Sequence, residues 1–124
     1  MSSFRVKNLE NTSEHSTRWY SNRQEKAVAK TIGGKQTPNS GATPFLPGDV
    51  SVDDLLLVEC KTKEKPVKSF SIKKEWLEKN LAESIARGTK YNVLAFNFGP
   101  DQKNYYVLDE ALFAEFIDYI KELR

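Results

Sequence analysis

Apolar residues recur along this chain with two different periods, and the changes of period mark out its elements. Ser21-Asn22-Arg23-Gln24 has the form of a capping box, with Asn22 and Glu25 offering a second register. Glu25, Val28, Ala29 and Ile32 then fall on one helical stripe, which predicts a helix from Ser21 to just before Gly33-Gly34. The stripe turns Glu25 inward, although an acidic residue near a helix N-terminus is also favoured by the dipole alone. Lys35 to Gly48 reads as a short strand and a long loop punctuated by Pro38, Gly41, Pro44, Pro47 and Gly48. Val50 and Val52, then Leu55 to Val58, form two apolar runs around an acidic turn, as two neighbouring strands would. A helix is expected from about Ser71 to Arg87, with Trp76, Leu77, Leu81 and Ile85 facing the core. Tyr91 to Phe98 reads as a central strand and Tyr105 to Leu108 as another. Asp109 caps a last helix whose stripe of Leu112, Phe113, Phe116, Ile117 and Ile120 covers the sheet or serves a dimer contact.

That order is helix, three strands, helix, two strands, helix. A helix between the third and fourth strands implies a crossover, so the expected fold is α/β, a central mixed β-sheet flanked by helices. Residues 1–20 are polar and irregular and read as an N-terminal arm, either a solvated tail or a substrate contact, ahead of a domain spanning 21–124. A length of 124 residues suits one core, and 39% hydrophobic residues suit a globular chain. No run approaches the roughly 20 apolar residues of a membrane span, and the polar start lacks the form of a signal peptide. The single cysteine precludes an internal disulfide and, with one histidine, argues against zinc. These features point to a reducing, cytoplasmic setting. A net charge of +2 requires no polyanionic partner but permits one where lysines cluster.

The chemistry concentrates between Asp49 and Lys61. Strand alternation puts Glu59 and Lys61 on one face and Cys60 on the other, and Asp49 on the neighbouring strand falls close to Glu59. Two carboxylates and an ammonium at a buried strand end are costly unless they bind something, or unless they simply pair across the strand end. Mg²⁺ takes one or two carboxylates plus waters and phosphate oxygens, so Asp49 and Glu59 suit it, and the Cys60 backbone carbonyl offers a third oxygen. Lys61 would orient or deprotonate the attacking water and stabilise charge on a phosphate. Glu25 would bind the metal through water, or hold a second ion. Lys63, Lys65 and Lys68 form a basic loop after this strand and, with Lys35, are candidate phosphate contacts.

Asp49, Glu59-Cys60-Lys61 and the element order resemble the PD-(D/E)XK nuclease superfamily with its restriction-endonuclease-like core. Gly48 stands where the family name has proline, with Pro47 one residue earlier. Glu25, Ser40-Gly41, Gly48-Asp49 and Val58-Glu59-Cys60-Lys61 are most similar to archaeal-type and viral Holliday-junction resolvases, over about residues 21–108. This resemblance implies an active site of Glu25, Asp49, Glu59 and Lys61, with Ser40 as a catalytic-loop or phosphate-contacting residue. It further implies Mg²⁺, with Mn²⁺ as a substitute, and a homodimer that cuts four-way DNA junctions in recombination and repair. The setting would be a prokaryotic cell or a virus-infected host cell. Flap or other branched-DNA nucleases, and a non-catalytic nucleic-acid-binding module, share the same fold.

Overall fold

The structure is a computed structural model that describes residues 14–37 and 49–124. The elements, in order, are α1 (Thr17–Ile32), β1 (Lys35–Gln36), β2 (Asp49–Val52), β3 (Leu56–Lys61), α2 (Lys74–Arg87), β4 (Tyr91–Phe96), β5 (Tyr105–Val107) and α3 (Glu110–Glu122). The strands form one sheet in the order β1-β2-β3-β4-β5. β3 and β4 are parallel, joined through α2, and every other neighbouring pair is antiparallel. The fold is therefore the expected α/β arrangement, a central mixed sheet with helices against it. Among the described residues no helix is long and apolar enough to cross a membrane.

Alternation along β2, β3 and β4 divides the sheet into two unlike faces. One is apolar: Val50, Val58 and Ala95 bury against Val28 of α1, with Ala29, Ile32, Leu56 and Cys60 around them. The other carries Asp49, Leu57, Glu59, Lys61 and Leu94 and lies against α2. The basic segment after β3 is pinned to the turn after β4. Val67 N–H donates to the Phe98 carbonyl at 2.8 Å. Gly99, at φ +156°, lies so close that a Cβ there would sit 2.9 Å from Pro66 Cα.

Several boundaries and faces differ from the sequence reading. α1 begins at Thr17, four residues before the expected Ser21, because Ser16 is the N-cap and accepts from Trp19 N–H. Ser21 instead lies inside the helix, donating to the Thr17 carbonyl, so the 20/21 domain boundary falls within α1. Gly33 ends this helix in the left-handed conformation, as expected. α2 begins at Lys74 rather than near Ser71, and β4 ends at Phe96 rather than Phe98.

α2 is also rotated from its expected facing. Leu77, Leu81 and Ile85 are exposed, while Asn80 and Ser84 are buried. The inward side chains are held by hydrogen bonds: Asn80 Nδ2 donates to the Val93 carbonyl at 3.0 Å and Ser84 Oγ to the Thr89 carbonyl at 3.2 Å. α3 does not cover the sheet. Leu112 is buried, but Phe113, Phe116, Ile117 and Ile120 remain 36–56% exposed. A cavity of about 390 Å³ with largely apolar walls opens beneath it, bounded by Leu112 and Phe116 on one side and Ile32, Val58 and Val93 on the other.

Candidate active site

Asp49 opens β2 and lies directly opposite Glu59 in the antiparallel ladder. The tight turn at Asp53 (φ 46°) fixes this register, and a slip of one residue would send Asp49 to the apolar face. Asp49 is 0% exposed and Glu59 5%. Among the described residues, neither Asp49 oxygen has a hydrogen-bond donor. Its neighbours are the carboxylates of Glu59 and Glu83, which share a hydrogen bond with it only when a proton lies between them. Burial, then the contact with Glu59 and the charges of Glu59 and Glu83, pushes the Asp49 carboxyl up to about 10.

Glu83 comes from α2, and the sequence reading missed it. Oxygen atoms of Asp49, Glu59 and Glu83 all lie within 4.8 Å of one another, and the trio could hold a metal ion. Buried carboxylate oxygens without donors are costly. A hard cation that prefers oxygen ligands relieves that cost, so the donor set fits a group of this kind. The signal for Glu83 was a polar stripe: Asn80, Glu83 and Ser84 share one helical face, the inward one.

Lys61 ends β3, two residues beyond Glu59 on the same face. Its Nζ lies 3.3 Å from Glu59 Oε1 and 4.7 Å from the centre of the Trp76 ring. The ammonium is held between an anion and a π face while its side chain keeps 27% exposure, which leaves it a path to solvent. Gln24 of α1 fastens the strand end from behind. Buried in the helix, it donates through Nε2 to the Lys61 carbonyl at 2.7 Å and to Asn104 Oδ1 at 3.1 Å. The sequence reading passed over Gln24, which continues the stripe of Tyr20 and Val28 at intervals of four.

Glu25 is buried and faces inward as expected, at 2% exposure. The structure does not bring it into the carboxylate trio. Gln36, paired with Val50 in β1, donates to Glu25 Oε1 at 3.1 Å, so Glu25 is held near the edge of the apolar face. Burial raises its pKa; Gln36 and Arg18 oppose that rise and the charge of Glu59 adds to it. Glu59 is thus close enough to be felt. Cys60 turns its side chain to the apolar cluster, and burial pushes its thiol up, so the sulfur plays no part on the Glu59 face.

Ser40 and Gly41, with the rest of 38–48, lie outside the described residues. Among the candidate phosphate contacts, Lys35 is exposed on edge strand β1. Lys63, Lys65 and Lys68 are exposed in the segment following β3, with Lys63 Nζ 5.2 Å from the Phe70 ring centre. Compared with protein-family models, curated proteins and solved structures, this chain matches none.

Proposed function

We propose that this chain is a Mg²⁺-dependent DNA endonuclease, and that it acts as a homodimer on four-way junctions. The observation that carries the hydrolytic reading is the buried Asp49–Glu59 pair, lacking donors at Asp49 among the described residues and joined by Lys61 at 3.3 Å from Glu59. Asp49, Glu59 and Glu83 would hold the ion, and the Cys60 backbone carbonyl lies on the same strand end. Mg²⁺, or Mn²⁺ in its place, would supply Lewis acidity toward a phosphodiester and its attacking water. The chain's own part is positional. Lys61 presents an ammonium beside the carboxylates, where it orients water and stabilises negative charge on phosphate. Gln24 keeps the Lys61 backbone in place, and Glu25 adds a second buried carboxylate within electrostatic reach of Glu59.

The junction and homodimer readings rest on the resemblance of Glu25, Asp49 and Glu59-Cys60-Lys61 to resolvases, and exposed apolar ridges on α2 and α3 support the dimer. The test is a labelled four-way junction, a flap and a linear duplex incubated side by side. Cutting of the junction is expected in Mg²⁺ and binding alone in Ca²⁺, with Glu59→Gln inactive and folded. Cutting by Glu59→Gln at the wild-type rate would remove the site, and faster cutting of the flap would change the substrate.

A further inference from the structure

The face of the sheet that carries Glu59 and Lys61 continues outward as a row of aromatic rings. Lys61 is paired with Phe96 across β3 and β4, and Phe96 with Tyr105 across β4 and β5. Paired residues share a face, so this row runs beside the candidate metal site to the open edge of the sheet. The Phe96 and Tyr105 rings lie 5.7 Å apart and 28° from parallel. Phe70 lies 5.0 Å from Phe96 and 6.1 Å from Trp76, the ring that Lys61 contacts. None of these rings is buried, and Tyr105 is 45% exposed.

Lysines are interleaved with the rings. Lys63 Nζ lies 5.2 Å from the Phe70 centre, Lys73 5.6 Å from Trp76, and Lys103 5.6 Å from Tyr105. A plain apolar patch would lack the charge, and a plain basic patch would lack the π faces. Together they complement a polymer with flat bases along a chain of phosphates. The lysine stems are flexible, so a stacking base can displace an ammonium from a ring onto the adjoining phosphate.

We propose that this ridge is a stacking platform for single-stranded DNA that leads an unpaired strand toward the Asp49–Glu59 site. The choice of DNA rests on the nuclease reading. Bases within a duplex present no free faces, so the platform favours the unpaired segment at a branch or an end.

The test is anisotropy with a fluorescein-labelled oligothymidine of about twelve nucleotides, within the ~4–16 nucleotides that such sites span, measured in EDTA so that nothing is cut. Wild-type protein should bind it more tightly than a blunt duplex of equal length. Tyr105→Ala should weaken single-strand binding by about 5- to 100-fold and leave duplex binding unchanged, while Tyr105→Phe retains wild-type affinity. Unchanged oligothymidine affinity in a folded Tyr105→Ala protein overturns the proposal, as does an equal loss for both DNAs. Should that variant fail to fold, Lys63→Glu with Lys103→Glu must lower both the affinity and its salt dependence, or the proposal fails. Binding through Tyr105 by a protein that cuts no DNA would leave the platform and remove the nuclease. Glu59-dependent cutting without Tyr105-dependent binding would do the reverse.

Discussion

Asp49 stands directly opposite Glu59 across the β2–β3 ladder, and both carboxylates are buried with no donor among the described residues reaching Asp49. Two anions held this way repel each other unless a proton or a cation lies between them. Stability and the proposed ion binding are therefore linked at this pair, and each can be read from the other.

The first prediction is a stability profile without metal. The Asp49 carboxyl has moved from 3.8 up to about 10 on folding. Between those values the folded protein keeps a proton that the unfolded chain has released, so stability falls as pH rises through that window. Melting of the metal-free protein should therefore drop steadily from about pH 5 to about pH 9. Asp49→Asn should flatten this slope and, near the alkaline end, stabilise by at least about 1 kcal/mol, a few degrees in Tm. Mg²⁺ should raise the wild-type Tm most at alkaline pH and leave Asp49→Asn unmoved. A wild-type Tm that climbs toward alkaline pH would refute the argument.

The two glutamates that flank this pair should behave differently. Glu83 belongs to the trio whose oxygens lie within 4.8 Å, whereas Glu25 is engaged by Gln36. Glu83→Gln should shift the Mg²⁺ midpoint of DNA cleavage about tenfold or more, about 1.4 kcal/mol of ion binding. Glu25→Gln should leave that midpoint nearly in place and affect the rate instead. Equal midpoints for Glu83→Gln and wild type would remove Glu83 from the ion site.

Gln24 supplies a prediction about position. Its amide is the donor to the Lys61 carbonyl at 2.7 Å, and it also bridges to Asn104. Gln24→Met keeps the volume and removes the donor, leaving a polar strand end unpaired, which costs about 1–3 kcal/mol. Cleavage should slow through kcat with KM little changed, because Lys61 is misplaced while the candidate phosphate contacts Lys63, Lys65 and Lys68 are untouched. A fall in DNA affinity with kcat intact would place Gln24 in binding instead.

What the sequence disclosed depended on how far an element's neighbours were local. The alternation from Leu57 to Lys61 and the turn before it were legible because strand period and turn chemistry are local properties, and they brought Asp49 to Glu59. The stripe of Val28 and Ile32 likewise turned Glu25 inward. Which polar groups would satisfy one another across elements was not legible. α2 turns Asn80 inward, where the Val93 carbonyl of β4 accepts from it, and that leaves Leu77 and Ile85 exposed. Glu83 was hidden for the same reason: its partners lie on β2 and β3. The apolar stripe of α3 was read correctly as a stripe, but its period says nothing about whether its cover comes from the same chain.

That stripe carries the last prediction. Phe113, Phe116, Ile117 and Ile120 are exposed on a 13-residue helix, and isolated helices of that length are marginal in water. The cavity of about 390 Å³ below Phe116 is left unfilled by the described residues. Apolar side chains of a second copy would close it, burying the ridge as homodimer interfaces do. Light scattering should report a dimer for the wild type, and Phe116→Glu with Ile120→Glu should report a folded monomer. On a four-way junction that monomer should make single nicks where the dimer makes paired cuts on two strands, since each copy supplies one set of carboxylates. A wild type that stays monomeric both free and on junction DNA would separate the metal site from any two-strand reaction.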